Sequence, residues 1–554
     1  MGHHDNSQAV LETPVTSFTI SHKSYGVSRR ILPNQYYYTT TNHQQQIINN
    51  KLTVMNDFFN LTRETFSVRV SQHPKTVTNV LIVLVACGTA IVTAFSFDKI
   101  NINQGFGYDP IYGEIAQDFY GQIQGLNQFY FARILPSLII YHIGTLFTAG
   151  SILDSDTVIL GYEILRVMSL GLAGYAWCLI ADALEIGTSG KWLGFIGLFF
   201  NYAILKDSSY MPVRADSIGF ALGLLMLYAY LANKKILLHL LTFLGAFTWS
   251  SMLFLGSLLI LFPTHPNVEP VKSRSLPYYM HFLIALLPTL AAFIYMIKIV
   301  PGDLDPNNMG EPIEALRQLS AILAASYIFL GLSELLNYRP FYSRKYLMSF
   351  FLKGSFYLSL LFLIGLQLLP NLLAPESGNP MTLGNILYLV ILTSILQPGI
   401  FLVSHVVYWG PFFILAVLLW KPVCRIIHGH GLGITLWMVL GLIESLDSES
   451  RHLMIVFPLL IPFVVKVLEG FSWNKQKILY LMIISLLSSK FWLQIGEIGG
   501  RHREFPTQYL YMSHGPWMSD TMYIAQGAIV AVLFFILYLF YVQQPQCLSE
   551  HTNQ

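Results

Sequence analysis

The stretch GFGYDPIYGEIAQDFYGQIQGLNQFYFARILP, residues 105–136, is out of character with the chain around it. It carries Asp109, Glu114 and Asp118 within ten positions, then Arg133, and it follows the first long apolar segment, 77–97. Of the 554 residues, 54% are hydrophobic and 11% charged, with a mean hydropathy of +0.53. Soluble domains carry about 25% charged residues. This composition predicts an all-α, polytopic transmembrane bundle. The net charge of +2 gives no footing for nucleic acid. An aromatic share of 14% suits interfacial belts and a lined cavity. Cys87, Cys178, Cys424 and Cys547 show no CxxC spacing, so neither a disulfide framework nor a zinc site is indicated.

Residues 1–75 are polar, include NHQQQ, and show little periodicity. They are read as a loosely folded cytoplasmic extension, with no cleavable signal peptide at their start. Residues 76–545 form the expected transmembrane domain and 546–554 a short tail. The sequon NLT at 60–62 is expected to be silent on a cytoplasmic extension, and the external loops carry no sequons, which leans the reading toward a bacterial inner membrane.

Apolar segments fall at 77–97, 134–150, 157–181, 192–205, 215–232, 236–262, 279–300, 318–336, 347–369, 384–403, 411–420, 432–446, 452–468, 477–494 and 521–543. A spanning helix needs about 20 residues, so the shorter segments are candidates for partial insertion, and about 12 to 14 spans are expected. The Lys/Arg bias sets the orientation. Lys51, Arg63, Arg69 and Lys75 precede the first span, which places the N-terminus in the cytoplasm. Lys234, Lys235, Lys272, Arg274, YRPFYSRK (338–345), Lys421, Arg425, Lys475 and Lys477 fall on the same side. The loops 105–131, 301–317, 370–383, 444–452 and 495–520 then lie outside, with PVRADS (212–217). Counting forward from the N-terminus puts PVRADS inside instead. One segment between 150 and 206 is therefore expected not to cross fully, and 236–262, broken at GAFTWSS, shares the ambiguity. Glu163 and Arg166 are read as an interfacial pair on the cytoplasmic side.

At 3.6 residues per turn, Tyr112, Ile115, Ala116, Phe119, Ile123 and Leu126 form one stripe, with Glu114, Gln117, Asp118 and Gln124 largely off it. This predicts an amphipathic helix lying on the outer membrane surface. Asp109 before Pro110 fits an N-cap followed by a first-turn proline. On spacing alone, Asp109 is a cap and the other acids are a solvated face with no capping role.

A first span, an external loop with YDPIYGEIA (108–116), an amphipathic helix and RILPSL (133–138) opening the next apolar segment resemble the GT-C glycosyltransferase superfamily. PVRADSIGFALGLLMLYAYL (212–231) and SESRHLMIVFPLL (448–460) are looser matches in the same order. The long polar N-terminus is not typical of that superfamily. The resemblance implies sugar transfer from a polyprenyl-phosphate donor to a hydroxyl of a glycan or lipid acceptor, outside the membrane. It implies that Asp109 is the catalytic carboxylate, a general base, with Asp118 in reserve. Cations must hold the departing phosphate, and the planar arginine fork suits its oxygens. Arg214, Arg451 and Arg133 are the candidates, with Asp216, His405 and His452 in support. No dedicated metal cage is indicated, and a divalent cation bridging the phosphate to Asp109 is the only cofactor the reading leaves open.

Each residue also has a plainer reading. Arg133 at the end of a span can anchor at headgroups. Arg214 and Asp216 can form a local ion pair, and Arg451 can pair with Glu444, Asp447 or Glu449. His405 can be a buried, hydrogen-bonded histidine. RHREF and SHGPWMSD, within 501–520, can be a lid or a solvated loop. Three rival classes stand beside the transferase: a transporter, a polysaccharide polymerase or ligase, and a non-catalytic scaffold. Transporters place charges at the midplane between repeats, and polymerases concentrate function in a large late loop. Here the charges gather toward the outer face and the first loop is the rich one.

Overall fold

A computed structural model describes residues 74–96, 99, 106, 110–148, 152–264, 279–298, 314–374, 383–493, 515–518 and 520–542. Its regular structure is helical, with no strand among the described residues. The polar extension falls outside them, as does Asp109. α1 (Pro74–Ser96) is the first long apolar segment. The first loop holds three short helices, α2 (Ile111–Gln117), α3 (Phe119–Gln122) and α4 (Gln128–Phe131). α5 (Leu135–Phe147) and α6 (Ser155–Ala183) follow. Next come α7 (Thr188–Phe199), a π turn (Ala203–Asp207), α8 (Ser208–Tyr210) and α9 (Asp216–Leu231). α10 (Lys235–Ala246), α11 (Ser251–Leu261), α12 (Met280–Lys298) and α13 (Arg317–Leu335) continue the chain. α14 (Arg344–Phe351), α15 (Gly354–Leu373) and α16 (Leu383–Ser394) precede α17 (Ile400–Trp409), α18 (Pro411–Leu418) and α19 (Trp420–Gly429). The series closes with α20 (Leu432–Glu444), α21 (Phe457–Leu468), α22 (Lys475–Ser488) and α23 (Asp520–Val542).

Among the described residues, five helices are long and apolar enough to cross a membrane: α1, α6, α12, α13 and α23. Two bent pairs, α14 with α15 and α18 with α19, bring the number to seven. Beyond those seven, the expected 12 to 14 spans would require five to seven of the seven apolar helices of 10–17 residues to cross as well. At 1.5 Å per residue such helices cover about 15–25 Å, against a hydrocarbon core of about 30 Å. The stretch 236–262 is one case. α10 and α11 fold back on each other, so that Gly256 lies against Thr242 and Gly245 against Met252.

α1 and α6 run antiparallel at close range. A Cβ on Gly174 would meet Ala86 at 3.1 Å, and one on Gly171 would meet the Cys87 sulfur at 2.6 Å. Small residues let two backbones approach where lipid supplies no hydrophobic drive. Both ends are pinned by polar bonds. At one end Asn79 donates to Asp182 at 3.1 Å, and Lys191 reaches Asn79 at 2.6 Å and Asp182 at 2.7 Å. At the other, Glu163 pairs with Lys99 and with Arg166, and Arg166 donates to Thr93 Oγ1 at 3.1 Å and the Ala90 carbonyl at 2.7 Å.

That pairing corrects the expected placement of Glu163 and Arg166. They lie at the end where α1 runs into the first loop, called here the loop end, and Arg166 is only 2% exposed. The reason is α5. It packs against the first loop, with Ser137 donating to the Tyr112 carbonyl and Leu153, just beyond its far end, bonded to the Gln117 carbonyl, so α6 starts at the end where α1 finishes. The partial segment is therefore 135–147, just ahead of the window 150–206 in which it was expected. PVRADS then falls at the loop end, as the charge bias requires. Lys191, Lys234, Lys235 and Lys466 gather at the opposite end, called here the lysine end, where Lys466 donates to the Glu185 carbonyl.

The first loop departs from one continuous surface helix. Asp118 ends α2 and caps α3, accepting from the Gly121 N–H at 3.1 Å. A cap was expected at Asp109 with Pro110 in the first turn, but Pro110 itself stands at the cap position of α2, without a side-chain cap, and the capping carboxylate is Asp118. The apolar stripe is real but faces the protein: Tyr112, Ile115, Ala116 and Phe119 are buried. Tyr112 and Ala116 pack with Phe106, Ile140, Tyr162 and Val213.

Replacing Arg166 by Ala leaves Glu163 buried with half its partners, and truncating one member of a buried pair costs about 3–5 kcal/mol. Thermal unfolding in detergent is expected to show Arg166→Ala strongly destabilised, and Glu163→Gln with Arg166→Met recovering much of the loss. Native-like unfolding of Arg166→Ala would mean that this pair does not hold α1 to α6.

Candidate functional site

Buried charge converges at the loop end from four elements. The π turn carries Lys206 and Asp207, both almost fully buried. Such turns are rare and concentrate at functional sites. Asn201 holds this one by accepting from the Ile204 N–H at 3.1 Å and donating to the Gly197 and Leu198 carbonyls. Ser209 ties α8 to α1 through the Thr93 carbonyl at 2.7 Å. Lys206 turns away and donates to the Phe491 and Leu493 carbonyls.

Asp207 turns inward. Its Oδ2 accepts from the Tyr408 hydroxyl, at the end of α17, at 2.9 Å, and lies 3.4 Å from Arg214 Nη1. Arg214 also lies 4.0 Å from Asp216, the first residue of α9, where a carboxylate meets the positive end of the helix dipole. The expected local pair of Arg214 with Asp216 is thus the weaker contact, and Asp207 is the nearer partner.

The fourth element is the loop between α20 and α21, with a 3₁₀ segment at Ser450–Ile455. Arg451 pairs with Glu449 at 3.1 Å. Burial opposes its charge, but the carboxylates of Glu449, Asp216 and Asp207 outweigh it and hold its pKa above the usual arginine value. His452 donates through Nδ1 to Asp447 at 2.5 Å and lies 3.8 Å from Glu449. Asp447 also accepts from Thr393 Oγ1 and from the Glu449 N–H. His405, fully buried in α17, donates through Nε2 to the Ser445 carbonyl at 2.8 Å and meets the Ser450 hydroxyl at 2.9 Å. Trp409 donates to the Ser450 carbonyl at 3.2 Å. His405 therefore positions the loop that bears Arg451 and His452, which fits its plainer reading.

The predicted residues divide into two groups. Arg214, Asp216, Arg451 and His452 come together, and His405 supports them. Arg133 sits apart in an aromatic clamp, 4.0 Å from the Phe129 centroid and 4.7 Å from that of Trp249, and donates to the Tyr112 hydroxyl at 3.3 Å. Asp118 caps its helix. The reading of the sequence missed Asp207 and Tyr408. Lys206 and Asp207 at the end of an otherwise apolar segment were the available signal, because ionisable residues are rare there without a role.

Three buried polar atoms of the cluster have no hydrogen-bond partner: Asp207 Oδ1, Asp216 Oδ2 and Arg451 Nε. The site thus offers both a guanidinium donor and carboxylate acceptors. No group of three or more His, Cys, Asp or Glu side chains is arranged to hold a metal ion among the described residues. The described side chains do not form a cage for a divalent cation.

His452 carries a pH dependence. Burial alone would push its pKa down, but Glu449 and Asp447 raise it from 6.5 to about 9. A folded-state pKa above the unfolded value gives stability that is complete below about 6.5 and lost as pH rises through about 9. Thermal unfolding followed from pH 6.5 to 9 is expected to show a falling midpoint, with a flatter dependence in His452→Gln. Identical slopes in the two proteins would remove His452 as the titrating group.

No protein-family model, curated protein or solved structure matches the chain. The functional reading rests on the residues themselves.

Proposed function

We propose that the protein is a membrane glycosyltransferase of GT-C type that works at the loop end. The observation that carries this reading is the convergence of Arg214 and Arg451, from separate elements, on a buried carboxylate cluster at the end that also holds the acid-rich first loop. The two arginines hold the phosphate of a polyprenyl-phosphate sugar. An acceptor hydroxyl oxygen attacks the anomeric carbon, the bond from that carbon to the phosphate oxygen breaks, and polyprenyl phosphate leaves with the electron pair. The hydroxyl proton passes to a carboxylate. Asp109 is the base in this reading, since its sequence neighbours Phe106 and Tyr112 belong to the same buried cluster as Val213, next to Arg214. Asp207 and Asp216 replace Asp118 as reserves, because each keeps an oxygen that accepts no hydrogen bond while Asp118 is engaged as a cap. The acceptor is a glycan or lipid, the lysine end and N-terminus face the cytoplasm, and the membrane is a bacterial inner membrane.

The same carboxylate oxygens, which accept no hydrogen bond, favour a second reading, a cation-coupled transporter. One preparation separates the two. Purified protein in liposomes is offered radiolabelled polyprenyl-phosphate sugars with a membrane glycolipid extract as acceptor, and ion flux is followed in parallel. The transferase reading expects release of polyprenyl phosphate. It expects a fall of about 10²–10⁴-fold in Asp109→Asn at normal expression, since Asn keeps the size and shape of Asp and removes its capacity to accept the proton. Arg451→Ala is expected to lose donor binding and Arg451→Lys to keep part of it. Flux without transfer would move the assignment to the transporter, and full activity in Asp109→Asn would move the base elsewhere.

Orientation is tested separately. In a cysteine-free background, Gln122→Cys is expected to react with an impermeant thiol reagent in whole cells, after permeabilisation of any outer membrane. Lys235→Cys is expected to stay unlabelled. Labelling at 235 and not at 122 would invert the assignment of the two ends.

A further inference from the structure

The lysine end holds a cavity of about 770 Å³, walled by α10, α11 and α15 and closed below by the ends of α9 and α14. It lies at the opposite end from the carboxylate cluster and shares no residue with it. Its volume falls within the range of about 300–1,000 Å³ that takes an organic ligand whole. Its walls are apolar along most of their height, through Phe243, Leu259, Phe362, Leu366 and Leu369. Its polar groups collect at one end, with Lys235, Lys353 and Ser355 among them.

We propose that this groove binds an anionic phospholipid of the leaflet at the lysine end, with the phosphate between Lys235 and Lys353 and an acyl chain along α15. Three features carry the assignment. First, the charge is complementary. Lys235 opens α10 and Lys353 precedes α15, so the groove mouth joins two ammonium groups to two helix N-termini. Neither N-terminus has a side-chain cap, which leaves backbone N–H groups and the positive dipole ends for an anion. Second, the depth fits one leaflet. Lys235 to Phe243 spans about 12 Å of helix and Lys353 to Leu369 about 24 Å, which bracket half of a core about 30 Å thick. Third, the walls open sideways. Leu358 and Leu361 line the groove and are 72% and 67% exposed, as a slot entered from the hydrocarbon would be. His239 keeps the walls together at the mouth: its Nδ1 donates to the Lys235 carbonyl at 2.8 Å and its Nε2 meets Ser359 Oγ at 3.3 Å.

The test uses the full-length protein purified in a neutral detergent. Phosphatidylglycerol, phosphatidylcholine and inorganic phosphate are added in turn, and bound lipid is counted by native mass spectrometry. Phosphatidylglycerol is expected to remain bound and phosphatidylcholine to be lost. Lys235→Gln with Lys353→Gln is expected to weaken retention by about thirtyfold, the effect of two basic residues at an anionic surface. Gly365→Leu tests the chain slot without touching the lysines. Gly365 lines the groove, and a Cβ there meets nothing within 4 Å, so a larger side chain fits the fold while filling the slot. It is expected to abolish retention with an unchanged size-exclusion profile. Equal retention of the two lipids, displacement of the lipid by millimolar phosphate, or full retention in a folded Gly365→Leu protein would each overturn the proposal.

Discussion

Arg166 reaches Glu163, Thr93 and the Ala90 carbonyl at once, and with those bonds α1 and α6 lose the freedom to slide. The contact is available only because Gly171 and Gly174 let the two backbones close on each other. Lys191, Asn79 and Asp182 fix the far ends in the same way. Once this pair is antiparallel, the rest of the arrangement is constrained. α5 has to turn back at the loop end, α7 rises from the lysine end, and the π turn with PVRADS arrives beside the first loop. The ends of the bundle thereby acquire different chemistry from a single pairing.

The two ends handle charge differently. At the loop end, carboxylates and guanidinium groups are buried together, and their pairing offsets a desolvation cost that neither would meet alone. Pairing is incomplete there. An unsatisfied buried donor or acceptor costs about 1–3 kcal/mol, and three such atoms sit in one cluster. A cluster that served stability alone would be better filled by apolar side chains of similar volume. The retained cost is what directs attention to this site rather than to the Glu163–Arg166 pair, where every polar atom is engaged. At the lysine end Lys234, Lys235 and Lys353 stand exposed, the last two beside helix starts that lack side-chain caps, which suits contact with headgroups.

Membrane class and helical composition were legible in the sequence, because each depends on summed composition. The meeting of Arg214, Arg451 and His452 was legible only as a set of candidates. What escaped was whatever depended on tertiary register. Asp118 looked like one acid on a solvated helix face, and its side chain instead ends that helix and starts the next. The apolar stripe suggested a helix on a membrane surface, yet Tyr112 and Ala116 bury in one cluster with Ile140, Tyr162 and Val213. Helix pattern alone reports that a face is apolar and not what covers it. Glu163 and Arg166 were placed at the wrong end of α1 because hydropathy counts α5 as a crossing, whereas the chain after it returns to the first loop through Leu153 and Ser155.

Asp207 shows why a local break was needed to assemble the cluster. Lys206 and Asp207 are adjacent, opposite in charge and both buried, yet they serve different partners. Lys206 satisfies backbone carbonyls at Phe491 and Leu493, and Asp207 gathers Tyr408 and Arg214. A helix that simply continued from α7 would keep every backbone group engaged and carry the chain past this junction. The π turn, braced by Asn201 and followed by the two bonded serines of α8, redirects the chain so that PVRADS can fold back over it. Arg214 then meets Asp207 seven residues upstream, and the loop held by His405 brings Arg451 into the field of the same carboxylates. The apolar helices supply the frame, but the cluster exists because one segment stops being an α-helix at the position where its only acidic residue has to turn inward.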